Sequence, residues 1–183
     1  MKKIIYENKE KTLYFKKKIS KIFIEQNRLS NVNFEWYYID KNYLKKENKK
    51  IVPFIENAIY DLEEKFVKNY FKNKNVYFFI FDESNLDKSL IRLDKQNIDL
   101  LDLYEEIHYF NFLMFADNFE IMCYNDNDTH HYWIGNEVDL KDLFKDYTNI
   151  FIEQFKKFIF ENNDIYPYEA CRDLYIYYNN FLL

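Results

Sequence analysis

The chain has 183 residues, a formal charge of −5 and a single glycine, Gly135. A chain of this length forms one domain, 1–183, with a sizeable core, and it lacks the run of about 18 apolar residues that a membrane span needs. Phosphate-cradling loops require several glycines, so a P-loop, a dinucleotide fingerprint, a Gly-rich kinase loop and a Gly-x-Ser-x-Gly elbow are all excluded.

The composition is skewed: Phe, Tyr, Met, Ile, Asn and Lys supply 105 of the 183 residues. Their codons are A/T-rich, so base composition accounts for much of the Tyr, Phe and Lys content. Of the two cysteines, Cys123 lies in the apolar run Ile121–Tyr124 and reads as a buried small hydrophobe. No disulfide framework is expected. The opening Met1–Glu7 lacks the apolar stretch of a signal peptide. The expectation is a cytoplasmic protein without membrane association.

In chain order, Lys2–Tyr6 reads as an edge strand and residues 12–27 as a helix. Phe34–Ile39 reads as a strand, and Lys41–Lys50 as a polar surface loop. Pro53 suits the first turn of a helix whose stripe is Ile55, Ala58, Ile59, Leu62, Phe66, Tyr70 and Phe71. Val76–Phe81 is a continuous apolar run, as expected for a central strand buried on both faces. A helix follows over residues 98–109, capped by Asn97 or Asp99. Phe112–Phe115, Phe119–Tyr124 and His131–Ile134 are rich in aromatic and β-branched residues. Short connections at Ala116–Asn118 and Asn125–His130 make them an antiparallel meander near 112–135. A long helix starts near Asp139, carrying Leu140, Leu143, Phe144, Tyr147, Phe151, Phe155, Phe158 and Ile159. A last helix follows Pro167, with Ala170, Leu174, Tyr177, Tyr178 and Phe181 in register. The pattern predicts an α+β fold, a mainly antiparallel sheet of about four to six strands packed with about four to five helices.

Several clusters invite a chemical reading. Residues 124–132, Tyr-Asn-Asp-Asn-Asp-Thr-His-His-Tyr, resemble a calcium loop, but His131 stands where the sharp turn requires Gly. Asp126, Asp128, His130 and His131 could instead form the site of a metal-dependent hydrolase or nuclease, with His108 as a further ligand. Adjacent strand histidines point to opposite faces, which argues against it. Arg172 could activate Cys171, yet no base is placed beside it. Lys9, Lys11, Lys16, Lys17, Lys18, Lys21 and Arg28, interleaved with Tyr14, Phe15 and Phe23, offer a phosphate-tracking helix for nucleic acid. That reading is not favoured, because the chain is acidic overall and poor in Arg.

Charge is sorted along the chain. Residues 1–50 carry fourteen Lys/Arg against six Asp/Glu, and residues 82–139 carry three against fourteen. An acidic face attracts basic partners and steers them on approach. The candidate partner-binding residues are Asp82, Glu83, Asp87, Asp102, Glu105, Glu106, Asp126 and Asp128, with Tyr132 and Trp133 as aromatic anchors. The expectation is a small non-catalytic inhibitory protein that blocks a basic protein partner. It would be a toxin immunity protein or antitoxin, or a phage-encoded inhibitor of a nucleic-acid-targeting defence effector of the anti-CRISPR type. No catalytic residue, metal or cofactor is expected. The metal-dependent enzyme and the Lys-helix nucleic-acid binder are the alternatives.

Overall fold

The structure, a computed structural model, describes residues 5–27, 35–55, 70–71, 73–81, 83–93, 110–126, 130–161 and 168–183. The expected helix over 98–109 lies outside these residues, as do 56–69.

The chain opens with β1 (Ile5–Tyr6) and α1 (Lys9–Ile19). The Asn8 side chain caps α1 by accepting the Lys11 amide at 2.9 Å. Thr12, Phe15 and Ile19 recur at helical spacing and are buried. The helix ends at Ser20, short of the expected residue 27. Phe23 and Ile24 instead pair with Ile39 and Tyr38 in a hairpin of β2 (Phe23–Asn27) and β3 (Glu35–Ile39). Tertiary packing overrides the helical pattern, because the hairpin stacks Phe23 against Phe81 and Tyr124, each 5.1 Å away between ring centroids. The polar stretch 41–50 is not a loop. Asp40 caps a short α2 (Lys41–Lys46) that buries Leu44, and Asn48, at φ 49°, turns the chain into β4 (Lys49–Ile55).

Pro53 therefore sits inside a strand and not at a helix start. β4 is the last strand of a seven-stranded sheet ordered β1-β6-β5-β7-β8-β9-β4, the others being β5 (Val76–Ile80), β6 (Leu90–Leu93), β7 (Phe112–Ala116), β8 (Met122–Asp126) and β9 (His130–Asn136). Leu183 donates its amide to the Ile51 carbonyl at 3.1 Å, and Leu182 bridges Ile51 in parallel. The polar groups of Ile51 thus face away from β9. So does the missing N–H of Pro53, two residues on, and no ladder bond is lost.

Every pairing in the large sheet is antiparallel, and the 112–136 meander forms as expected. Register lines up Ile91, Phe78, Met114, Cys123, Trp133 and Val52 across six strands. These side chains enter one core, with Leu140, Phe144, Phe151 and Phe71. The alternate row, which includes Tyr77, Phe115, Met122, Ile134 and Ile51, enters a second core with Phe15 and Ile19 of α1, the β2–β3 hairpin and Leu44. β5 is buried at all five positions, as its unbroken apolar run anticipates.

The expected long helix from Asp139 is two helices, α3 (Glu137–Phe144) and α4 (Tyr147–Glu161). They are broken at Lys145, which has φ 51° and ψ −127°. Phe151 joins one core while Phe155 and Ile159 join the other, so α4 crosses the β4 edge. α5 (Tyr168–Tyr178) closes the second core, with the Tyr178 hydroxyl accepting the Ile39 amide at 2.7 Å.

Candidate partner-binding end of the sheet

Antiparallel order places the acidic segments at two opposite ends. The upper end carries Ile80, Phe112 and Asp126; the lower end carries Val76, Ala116 and Met122. Four residue steps along the strand separate them, about 13 Å.

At the upper end, β5 and β6 are joined by a turn held by its own side chains. The Asn85 amide donates to Glu83 Oε1 at 2.8 Å, and the Asp87 amide donates to Asn85 Oδ1 at 3.0 Å. The buried Ser89 Oγ lies 3.1 and 3.0 Å from the carbonyls of Glu83 and Asn85. Such Asx-type bonds order a turn locally. Asp87 is exposed and Glu83 half-buried. Two strands away from β5, Asp126 ends β8, paired in register with His130 of β9. The strand ends at Ile80 and Asp126 are therefore about 10 Å apart. Between them β7 begins, and Phe110, just before it, is 39% exposed. Asp82, Asp102, Glu105, Glu106 and Asp128 lie outside the described residues.

Two of the expected anchors are displaced. Trp133 is 0% exposed and Tyr132 2%, because both point into the cores on either side of β9. Their place at this end falls to Phe110, which the sequence reading passed over. The cue was its position next to a strand start within an acidic stretch. His131 is also buried, opposite Asn125 and Phe54 in register. Among the described residues no three His, Cys, Asp or Glu side chains gather to hold a metal ion.

The lower end is also acidic, and its carboxylates have neighbours within the fold. Asp117 accepts from Asn75 at 3.1 Å, and Glu137 pairs with Lys141. Lys49 donates to the Glu120 carbonyl at 2.8 Å, and the Tyr70 hydroxyl lies 3.5 Å from Glu120 Oε2. Burial lowers the Lys49 pKa, while Asp139, Glu120 and Glu47 work against that shift. Burial, Glu120 and Asp139 all push the Tyr70 hydroxyl upward. No sequence signal links these groups, because they meet only when β4, β8 and α3 converge.

On α1 the lysines divide. Lys11 turns inward to Glu7 Oε1 at 3.1 Å and the Tyr77 hydroxyl at 2.9 Å, and Glu7 also holds Arg92 at 2.8 Å. Burial acts to lower the Lys11 pKa, but these hydrogen bonds outweigh it and the net shift is upward. Lys9, Lys16, Lys17 and Lys21 stay exposed.

No helix among the described residues is long and apolar enough to cross a membrane. Comparison of the chain with protein-family models, curated proteins and solved structures found no match.

Proposed function

We propose that this is a cytoplasmic, non-catalytic inhibitory protein that takes a basic protein partner at the upper end of its sheet. The partner class is a nuclease-type toxin or a nucleic-acid-targeting defence effector. One observation carries the reading: the acidic turn that holds Glu83 and Asp87 and the end of β8 at Asp126 lie on either side of the strand start that presents the exposed Phe110. An apolar anchor beside carboxylates suits a basic groove, where the acids supply steering and the ring supplies buried area. The ordered β5–β6 turn lowers the entropy that binding must overcome. At the lower end Glu137 is paired with Lys141, and Asp117 and Glu120 accept hydrogen bonds from Asn75 and Tyr70.

The test compares the wild-type chain with E83K/D87K and Phe110→Ala as baits in host extract, followed by titration of the captured partner's nuclease activity. The wild type should retain a basic protein and silence it at one-to-one stoichiometry. Each variant should lose at least tenfold in affinity, the charge reversal mainly through slower association. Capture of no basic protein, or equal capture by all three chains, would remove the proposal.

A further inference from the structure

We propose that the outer face of α1 is a docking surface for single-stranded nucleic acid. This stands apart from the reading of the acidic end. Thr12, Phe15 and Ile19 fix the inner face of α1 in the core, so its opposite face is presented outward. Lys9, Lys16 and Lys17 are exposed there, and Lys21 follows in the turn after the helix. None of the four forms an ion pair among the described residues, unlike Lys11, Lys141 and Lys156. Glu10 is the single acid of α1.

Helix electrostatics explains only part of this pattern. Lys16 and Lys17 lie in the last turn, where the macrodipole favours cations, but Lys9 occupies the first turn, where it does not. Lys9 and Lys16 stand about 10 Å apart along the axis, a row suited to a chain of phosphates rather than to one anion.

A ring and apolar surface accompany the charge. Tyr14 is 55% exposed, and Leu13 beside it on α1 is exposed as well. Lys18 lies 4.6 Å from the Tyr14 ring centroid, holding the ring in place by a cation–π contact. Cations interleaved with exposed rings are the makeup of single-strand sites, where unpaired bases stack on the rings while the backbone meets the lysines. A lipid surface fits less well. An interfacial helix must bury its apolar side, and the apolar side of α1 is already in the core.

The experiment is fluorescence anisotropy of labelled oligo(dT) and oligo(U) with the full chain at rising salt. Binding should appear at low salt and weaken with a log–log slope of about −3, the value for four neutralised phosphates on a single strand. The quadruple variant K9Q/K16Q/K17Q/K21Q should bind at least a hundredfold more weakly with an unchanged melting temperature, since all four side chains are exposed. Tyr14→Ala should weaken binding roughly tenfold. E83K/D87K should bind oligonucleotide no more weakly than the wild type, which separates this surface from the acidic end. Absence of binding at low salt, or full binding by the quadruple variant, would overturn the proposal. So would lysine-dependent binding to phosphatidylserine vesicles without oligonucleotide binding, or lysine-dependent dimerisation in sedimentation.

Discussion

Scarcity of glycine leaves its mark on single residues. Four described non-glycine residues adopt positive φ: Asn48, Asn73, Phe119 and Lys145. Asn tolerates the left-handed region, so two of the four cost little. Phe119 is held by its ring, which stacks on Phe115 with centroids 4.4 Å apart. Lys145 has no such compensation. Its side chain is exposed, and its φ 51° and ψ −127° match the first central position of a type II′ turn, where glycine is preferred. Lys145→Gly should therefore raise stability by about 1 kcal/mol, read as a higher urea midpoint at unchanged slope. An unchanged or lower midpoint would mean that the Lys145 backbone is not strained. The one glycine present is used for space rather than for φ. A Cβ on Gly135 would lie 3.1 Å from both Ile121 Cγ1 and Leu140 Cγ, so its absence lets β9 meet α3 closely.

At the scale of elements, polar tethers fix what the apolar cores leave free to slide. Apolar contact is non-directional, whereas a hydrogen bond in a buried site has one geometry. Tyr178 of α5 accepts the Ile39 amide in the core, tying α5 to the β2–β3 hairpin. Tyr178→Phe keeps the ring but leaves that buried N–H without an acceptor. The expected cost is about 1–3 kcal/mol in chemical denaturation, larger than an isosteric change would suggest. A loss below about 0.5 kcal/mol would show that the bond is dispensable. On the opposite edge of the hairpin layer, Glu7 links Lys11 of α1 to Arg92 of β6, and Lys11 carries the link on to Tyr77 of β5. The β4 edge is guarded by Pro53 and by the pairing of Ile51 with residues 182–183, devices that deter strand addition by another molecule.

For the whole molecule, buried tyrosines tie stability to alkaline pH. Burial, with Glu47 nearby, pushes Tyr43 up to about 12. Tyr70 is raised by burial, Glu120 and Asp139, and Tyr178 is raised chiefly by burial. In the unfolded chain these groups titrate near about 10. Above that pH the unfolded state releases protons that the folded state retains, so the stability they contribute is full below about pH 10 and falls through about pH 12. The urea midpoint should decline in that window, and Tyr43→Phe should make the decline shallower. A midpoint flat up to about pH 12 would show that the hydroxyls ionise without unfolding. Charge is also organised at this scale. Carboxylates gather at both ends of the sheet, Glu137 alone of those described there is paired with a lysine, and α1 presents lysines.

Local pattern determined the elements whose environment matches it. The 112–136 meander, the buried run at Val76–Ile80, the strand at Glu35–Ile39 and the helix Tyr168–Tyr178 were legible because period and turn residues act over a few positions. The α+β class follows from those elements, and so does the candidate acidic site as a list of carboxylates. Tertiary structure alone decided the rest. Pro53 went into strand β4 instead of opening a helix, because the edge position makes the missing N–H harmless there; the rest of the expected stripe up to residue 69 lies outside the described residues. Phe23 left the α1 pattern to stack on Phe81 and Tyr124. Tyr132 and Trp133 went inward because β9 is covered on both faces, and Phe110 took the exposed place. Which acids share an end, and which meet a lysine, depends on strand order. Strand order is set by contacts between residues far apart in the chain, and those leave no local trace in the sequence.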